Sequence, residues 1–85
     1  MIACNQIVDQ IVKQGGRVDL PGWFYDIVLD RLEKRGFQRA RSIDMPQGFE
    51  GSVYMNDQTE IHVVTSRFNG PITTITVGVR QCHSE

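Results

Sequence analysis

The stretch from Leu20 to Phe37, LPGWFYDIVLDRLEKRGF, constrains the fold more than any other part of the chain. Its apolar residues recur at three- and four-residue spacings, which predicts an amphipathic helix with one apolar stripe. The stripe consists of Leu20, Phe24, Ile27, Val28 and Leu32. Because such a stripe has to be buried, we expect the rest of the chain to pack against this helix.

Both ends of this helix have sequence signals. Asp19 can accept the free amides of a first turn, and Pro21 fits a position where no amide partner is needed. Gly36 can take the left-handed conformation after the last turn, which brings Phe37 beside Leu32 in a Schellman-type cap. These signals predict that the helix begins beside Asp19 and ends at Gly36.

The residues before this helix predict a shorter helix over residues 2–14, which Gly15 and Gly16 end. The apolar face of the shorter helix carries Cys4, Ile7, Val8, Ile11 and Val12. In residues 17–20, Val18 and Leu20 alternate with polar residues. This short pattern fits an edge strand and an extended linker equally well.

After Phe37 the helical period gives way to residues that favour strands. Residues 37–43 predict a first strand, which Met45-Pro46-Gln47-Gly48 ends. A three-stranded meander follows, and its apolar positions set the register. The side chains expected to face the helices are Val53, Met55, Ile61, Val63, Ile75, Val77 and Val79.

The turns of the meander follow from this register. Pairing Val63 with Ile75 requires an odd-length loop, either Phe68-Asn69-Gly70 or a five-residue loop that includes Pro71. A three-residue turn, Asn56-Asp57-Gln58, then aligns Val53 with Ile61.

Together these elements predict an α+β fold with two helices on one face of a three- to four-stranded antiparallel sheet. The chain has 85 residues, which is enough for one core. We therefore expect a single domain, with a helical part at 1–36, the sheet at 37–80 and a loose tail at 81–85.

Composition excludes several classes of protein. No apolar run approaches the length of a membrane span, and the N-terminus lacks the pattern of a secretory signal, so we expect a cytoplasmic protein without membrane contact. Cys4 and Cys82 are then expected to stay reduced. The net charge of -1 argues against a protein whose main role is to coat nucleic acid.

The charges are nevertheless uneven, because five basic residues stand against a single acid, Glu33, between residues 31 and 41. The basic residues are Arg31, Lys34, Arg35, Arg39 and Arg41. Arg31 and Arg35 share a helix face. Arg39 and Arg41 are expected to point the same way from the strand that follows, so up to four guanidinium groups could meet an acidic partner or a phosphate backbone. Alternatively, Lys34 pairs with Asp30 and the other cations complement the C-terminal helix dipole.

Trp23 and Tyr25 must lie partly outside the apolar stripe when Phe24 faces the core. Exposed aromatic residues are common anchors at protein interfaces. The alternative is that the first helix or the loop from Met45 to Phe49 covers them.

The face of the meander that points away from the helices carries Glu60, His62, Ser66, Thr74, Thr76 and Arg80. Glu60 could hold the His62 imidazole as a general base beside a hydroxyl, as in a small hydrolase. A polar face exposed to water explains the same pattern. Cys82 and His83, with Cys4 and His62, are too few and too scattered for a metal site, so we expect no metal and no cofactor.

We interpret the chain as a small non-enzymatic binding module, an inhibitor or regulator that occupies the surface of a protein partner, of a size and style that a phage or mobile element could encode. A nucleic-acid-binding regulator that uses residues 31–41 is the alternative, and a hydrolase that uses Glu60 and His62 is a third hypothesis. An uncovered sheet edge would allow a homodimer. The expected contact residues are Arg31, Arg35, Arg39, Arg41, Trp23 and Tyr25.

Overall fold

The computed structural model describes residues 4–57, 59–67 and 70–81, in which two α-helices accompany an antiparallel sheet of five strands. The elements are α1 (Cys4–Gln14), β1 (Gly16–Pro21), a 3₁₀ turn (Gly22–Phe24), α2 (Tyr25–Lys34), β2 (Gln38–Ile43), β3 (Phe49–Met55), β4 (Thr59–Arg67) and β5 (Ile72–Gln81). The strand order across the sheet is β1-β5-β4-β3-β2. The predicted α+β class is confirmed, and the predicted three to four strands are corrected to five.

The additional strand is β1, which decides between the two interpretations of residues 17–20. β1 is an edge strand that pairs with β5, and it places Val18 opposite Val77 and Leu20 opposite Ile75. The N-terminal part of the chain is therefore not wholly helical. Residues 82–85, which include most of the predicted tail, lie outside the described residues.

The predicted start of the central helix is wrong. Leu20 and Pro21 end β1, a single 3₁₀ turn follows, and α2 begins only at Tyr25. Asp19 caps no helix, because its carboxylate accepts a hydrogen bond of 2.7 Å from the Thr76 hydroxyl on β5. Leu20 is buried opposite Ile75 in the sheet. Its burial therefore comes from strand pairing and not from the predicted helical stripe.

The predicted end of this helix is confirmed. The Phe37 amide donates to the Leu32 carbonyl and the Gly36 amide donates to the Glu33 carbonyl, both at 3.0 Å, and Gly36 has a φ of 84°. These are the two hydrogen bonds of a Schellman motif. Phe37 and Leu32 are both buried in the core.

The core joins the two helices to one face of the sheet. Its buried members are Val8, Leu20, Val28, Leu32, Phe37, Ile61, Val63, Ile75 and Val77. Val8 and Ile11 of α1 are buried as predicted, whereas Ile27 of α2, which the predicted stripe included, is 43% exposed. Residues 2 and 3 and the side chains of residues 4–7 lie outside what the structure describes.

The two helices do not cover the whole of this face. Arg39 and Ser42 of β2 point to the same side as the helices but are exposed. The helical layer therefore leaves the β2 end of this face uncovered.

The apolar faces of β4 and β5 agree with the prediction, but their register does not. Val63 pairs with Val77, and Ile61 pairs with Val79, two residues beyond the predicted partners. A shift of two residues keeps every side chain on its predicted face. The register also slips between Ser66 and Arg67 next to the turn. Phe68 and Asn69 of the predicted turn lie outside the described residues.

The predicted face of β3 is wrong. Tyr54 pairs with Ile61, so Ser52 and Tyr54 point to the helix side, while Val53 pairs with His62 on the opposite side. The cause is the turn: Met55 pairs with Glu60, which leaves four residues between them instead of three. Residue 58 of this turn lies outside the described residues. A one-residue change in turn length reverses the faces of a strand.

We call the side of the sheet away from the helices the open face. Its described positions include Arg17, Asp19, Arg41, Ile43, Gly51, Val53, Met55, Glu60, His62, Val64, Ser66, Thr74, Thr76 and Gly78. Met55, like Val53, was predicted on the helix side, and that prediction is wrong. Val53 is fully buried on the open face. Ile43 and Met45 lie so close over Gly51 that an added methyl group would be 3.1 Å from each side chain. Ile43 and Met45 therefore cover the open face at Gly51, two residues before Val53 on the same strand.

The helix end gives a test of local backbone strain. Gly36→Val should reduce the free energy of unfolding by about 1 kcal/mol or more, because a β-branched residue is strained at a positive φ. Gly36→Asn should cost clearly less, because asparagine tolerates this conformation. Chemical denaturation of the two variants measures the difference, and equal stability of the Val variant and the parent would contradict the cap.

The junction between β1 and α2 gives a test of close packing. A methyl group at Gly22 would lie 1.9 Å from the Ile72 carbonyl oxygen, so the backbone would have to move. Gly22→Ala should therefore destabilise the protein by about 1–3 kcal/mol. Gly78→Ala is the matched control, since a methyl group there meets no described atom within 4 Å. Thermal melting should show a large loss for the first variant and little change for the second.

Candidate functional site

The four arginines of the predicted contact patch fall into separate places, and the first pair joins the helices. Arg35 Nε donates to Asp9 Oδ1 at 2.6 Å, and its Nη2 also contacts that oxygen. Arg31 Nε lies 3.7 Å from the same Asp9 oxygen. One carboxylate of α1 therefore balances two guanidinium groups of α2. Much of this charge serves contact between the helices.

The second pair lies on opposite sides of the sheet. The prediction that Arg39 and Arg41 point the same way is wrong, because the register of β2 against β3 shifts between these two residues. Arg39 lies on the helix side, where its Nε donates to the Ser52 hydroxyl at 3.2 Å. Arg41 lies on the open face, where its Nη2 is 3.7 Å from Glu60 Oε1. The expected four-arginine surface is not assembled.

Lys34 pairs with Asp30, as the alternative interpretation of the basic stretch predicted. Its ammonium group lies 3.2 Å from the Asp30 carboxylate, four residues earlier on α2. Both side chains are about two thirds exposed, so the pair contributes little to stability.

Trp23 and Tyr25 have different environments. Trp23 is 69% exposed, and its ring stacks on Phe24 with centroids 4.0 Å apart. Tyr25 is half-buried and lines a small cavity with Tyr54 and Ser52 of β3. Trp23 thus agrees with the exposed interpretation. Tyr25 lies against β3, which was not among the covers that the sequence suggested.

Ile27 is a second exposed apolar side chain in this segment of the chain. It follows Trp23 by four residues and is also exposed. We call these two side chains, Trp23 and Ile27, the Trp23–Ile27 face. The sequence pattern missed this pair because it assigned Ile27 to the apolar stripe that was expected to be buried.

A groove runs between α2 and the bare end of the sheet, with a volume of about 370 Å³. Its lining includes Leu29, Glu33, Arg39 and Tyr54. Burial raises the pKa of the Tyr54 phenol, the nearby Tyr25 and Glu33 raise it further, and Arg39 opposes them. The Tyr54 hydroxyl is therefore protonated at neutral pH and can donate a hydrogen bond. Sequence reasoning missed Tyr54 because it assigned β3 the wrong face.

The predicted pair of Glu60 and His62 is present on the open face. His62 Nε2 lies 2.6 Å from Glu60 Oε2. Glu60 is 9% exposed, so its carboxylate is withdrawn from water and shared between His62 and Arg41. Such an arrangement fixes the orientation of the imidazole.

The hydroxyl groups that a hydrolase would need are elsewhere. His62 has Val53 and Gly78 as its neighbours on the adjacent strands. The Ser66 hydroxyl is 2.6 Å from that of Thr74, and Thr76 donates to Asp19. The side chain of Arg80 lies outside the described residues. The described hydrogen bonds of these hydroxyl groups are thus made with Thr74 and Asp19 and not with His62.

Other features were sought in the part of the chain that the structure describes. That part holds no group of three histidine, cysteine or acidic residues arranged to bind a metal. Cys82 and His83 lie outside it, as does the side chain of Cys4. Neither described helix is long and apolar enough to span a membrane.

Comparison with known proteins adds no family to these observations: no family model, no curated protein and no solved structure matches the chain.

The shared carboxylate of Asp9 gives a test of the helix contact. Asp9→Asn should lower the free energy of unfolding by about 1 kcal/mol, because it leaves two guanidinium groups without their acid. In a double-mutant cycle with Arg35→Gln, the two losses should be less than additive by about 0.5 kcal/mol or more. Asp30→Asn, which breaks the exposed pair with Lys34, is the control and should cost less. Fully additive losses in denaturant titrations would show that Asp9 and Arg35 are not coupled.

Proposed function

We propose that the chain is a small non-enzymatic binding module that regulates or inhibits a protein partner by covering part of its surface. The Trp23–Ile27 face is the proposed contact. The observation that carries this proposal is the 69% exposure of Trp23, a residue type that is costly to leave in water and frequent among binding hot spots.

The position of Trp23 in a rigid part of the fold supports the proposal. Gly22 is buried against the Ile72 backbone immediately before Trp23. Phe24, which follows, packs against the core while its ring stacks on Trp23. The backbone before Trp23 is thus fixed and its indole stacks on Phe24 on one side, so binding would restrict it little further. Such preorganisation lowers the entropic cost of association.

The surroundings of this face resemble the rim of an interface. Ile27 lies beside Asp26 and three residues before Asp30, and both acids are exposed. Interfaces commonly place a few apolar anchors inside a polar rim. A partner with an apolar pocket and basic residues around it would complement this arrangement.

The arginines support a protein partner more than a nucleic acid. Arg31 and Arg35 share Asp9, and Arg39 and Arg41 lie on opposite sides of the sheet. A phosphate backbone would reach no more than part of this set at once. Tyr25, which lies against β3, and the four arginines are therefore less central to the proposed contact than Trp23.

The sheet edges carry features that oppose self-association through strands. β2 is an edge strand with two arginines and an irregular register, and β1 at the other edge ends in Pro21. Charged residues, bulges and proline are the devices by which proteins protect such edges. These features favour contact through the Trp23–Ile27 face over an edge-paired homodimer.

The test is capture of the partner from the source cell with the immobilised chain. Parent protein is compared with the double variant Trp23→Ser/Ile27→Asp and with Phe49→Ser, which removes the exposed phenylalanine of β3. The double variant should weaken binding by at least about tenfold, because hot-spot truncations cost about 2 kcal/mol or more. Its melting temperature should stay close to that of the parent, since both side chains are exposed.

The control and the salt dependence decide between the partner classes. Phe49→Ser should retain the partner. Equal capture by the parent and the double variant would contradict the proposed contact. Loss of the captured material on nuclease treatment, with a steep dependence of affinity on salt, would instead favour the nucleic-acid interpretation.

A further inference from the structure

A depression lies around Gly78, and three of its lining residues, Arg17, His62 and Gly78, belong to the open face. Its volume is about 470 Å³, and its lining consists of Gly16, Arg17, His62, Gly78 and Val79. A methyl group at Gly78 would meet no described atom within 4 Å. Because Gly78 has no side chain, the backbone of β5 forms the floor of this depression.

Two nitrogen-bearing side chains flank this floor. Gly78 of β5 pairs with Arg17 on β1 and with His62 on β4, so the three residues form one row across the sheet. Neighbouring strands are about 4.8 Å apart, which puts the Cα atoms of Arg17 and His62 about 10 Å from each other. Long side chains from both sides can reach a small group that lies between them.

Each flanking residue retains atoms for a ligand. Glu60 is bound to Nε2 of His62, so Nδ1 is the other ring nitrogen. Arg17 Nε lies 3.6 Å from Asp19, but both side chains are largely exposed and such a pair is weak. The Asp19 oxygen also accepts the Thr76 hydroxyl. The terminal nitrogens of Arg17 remain for a second acceptor.

We propose that this depression binds a phosphate group between Arg17 and His62. A guanidinium group donates only, whereas Nδ1 accepts or donates according to the protonation of the imidazole. Hydrogen phosphate carries both a P–OH donor and acceptor oxygens, so it can satisfy both neighbours in either state. An ionised carboxylate has acceptors alone and suits Arg17 but not a neutral Nδ1. This site is independent of the Trp23–Ile27 face, which lies on the helix side.

The test is a titration of isotope-labelled protein with inorganic phosphate at constant ionic strength, followed by NMR. Saturable shifts are expected at Arg17, His62 and Gly78. Arg17→Gln and His62→Gln should each weaken binding about tenfold, as expected for loss of a hydrogen bond to a charged group. Arg67→Gln removes another exposed arginine that has an acidic neighbour, Glu50, and should bind as the parent does.

Filling the depression gives a separate test. Gly78→Val should abolish the shifts, and Gly78→Ala should weaken binding less, because a methyl group fills only a small part of the depression. Melting curves show that each variant is folded. The Trp23→Ser/Ile27→Asp variant should bind phosphate normally, so this site and the proposed function fail or succeed separately.

Several results would overturn the site. Shifts that do not saturate, or that persist unchanged in Arg17→Gln and His62→Gln, would show that phosphate does not bind between these residues. Equal saturable shifts with acetate would show that the depression does not select the chemistry of phosphate.

Discussion

The close contact between Gly22 and Ile72 determines how the rest of the molecule is arranged. At this point the chain leaves β1 and turns into α2, and the backbone of Gly22 approaches the Ile72 carbonyl so closely that no side chain fits between them. β1 can therefore pair with β5 up to Pro21 while α2 begins only four residues later. The same contact leaves Val28 and Leu32 over the sheet and Trp23 on the outside.

The sequence predicted correctly those features that depend only on residues close together in the chain. The end of α2 followed from Gly36 and Phe37, because a Schellman motif needs only residues within one turn. Its start did not follow, since Asp19 and Leu20 satisfy their side chains on β5, more than 50 residues away in the chain. The predicted strand faces were correct for β4 and β5, where apolar and polar residues alternate clearly. The predicted face of β3 was wrong, because the length of the turn between β3 and β4 determines which residues of β3 face the helices.

The candidate site shows the same division. The pairing of Glu60 with His62 was predictable, because residues two apart on a strand share a face. Arg39 and Arg41 lie on opposite faces because the register of β2 is irregular. The β2 sequence, QRARSI, contains no residue that predicts this irregularity. The contact of Asp9 with Arg31 and Arg35 depends on how two helices pack. A charge pattern in one segment does not show which acid from another segment will meet it.

The pairing of β1 with β5 has a consequence for the order of synthesis. The partners of residues 16–21 are residues 74–79, so the apolar side of β1 has no strand to pair with until nearly the whole described chain exists. Contacts between such distant residues are slow to form because their loop has to close first. During translation the two helices and β1 emerge while Val18 and Leu20 still lack their partners on β5. The sheet becomes complete only when its last strand inserts between its first strand and β4.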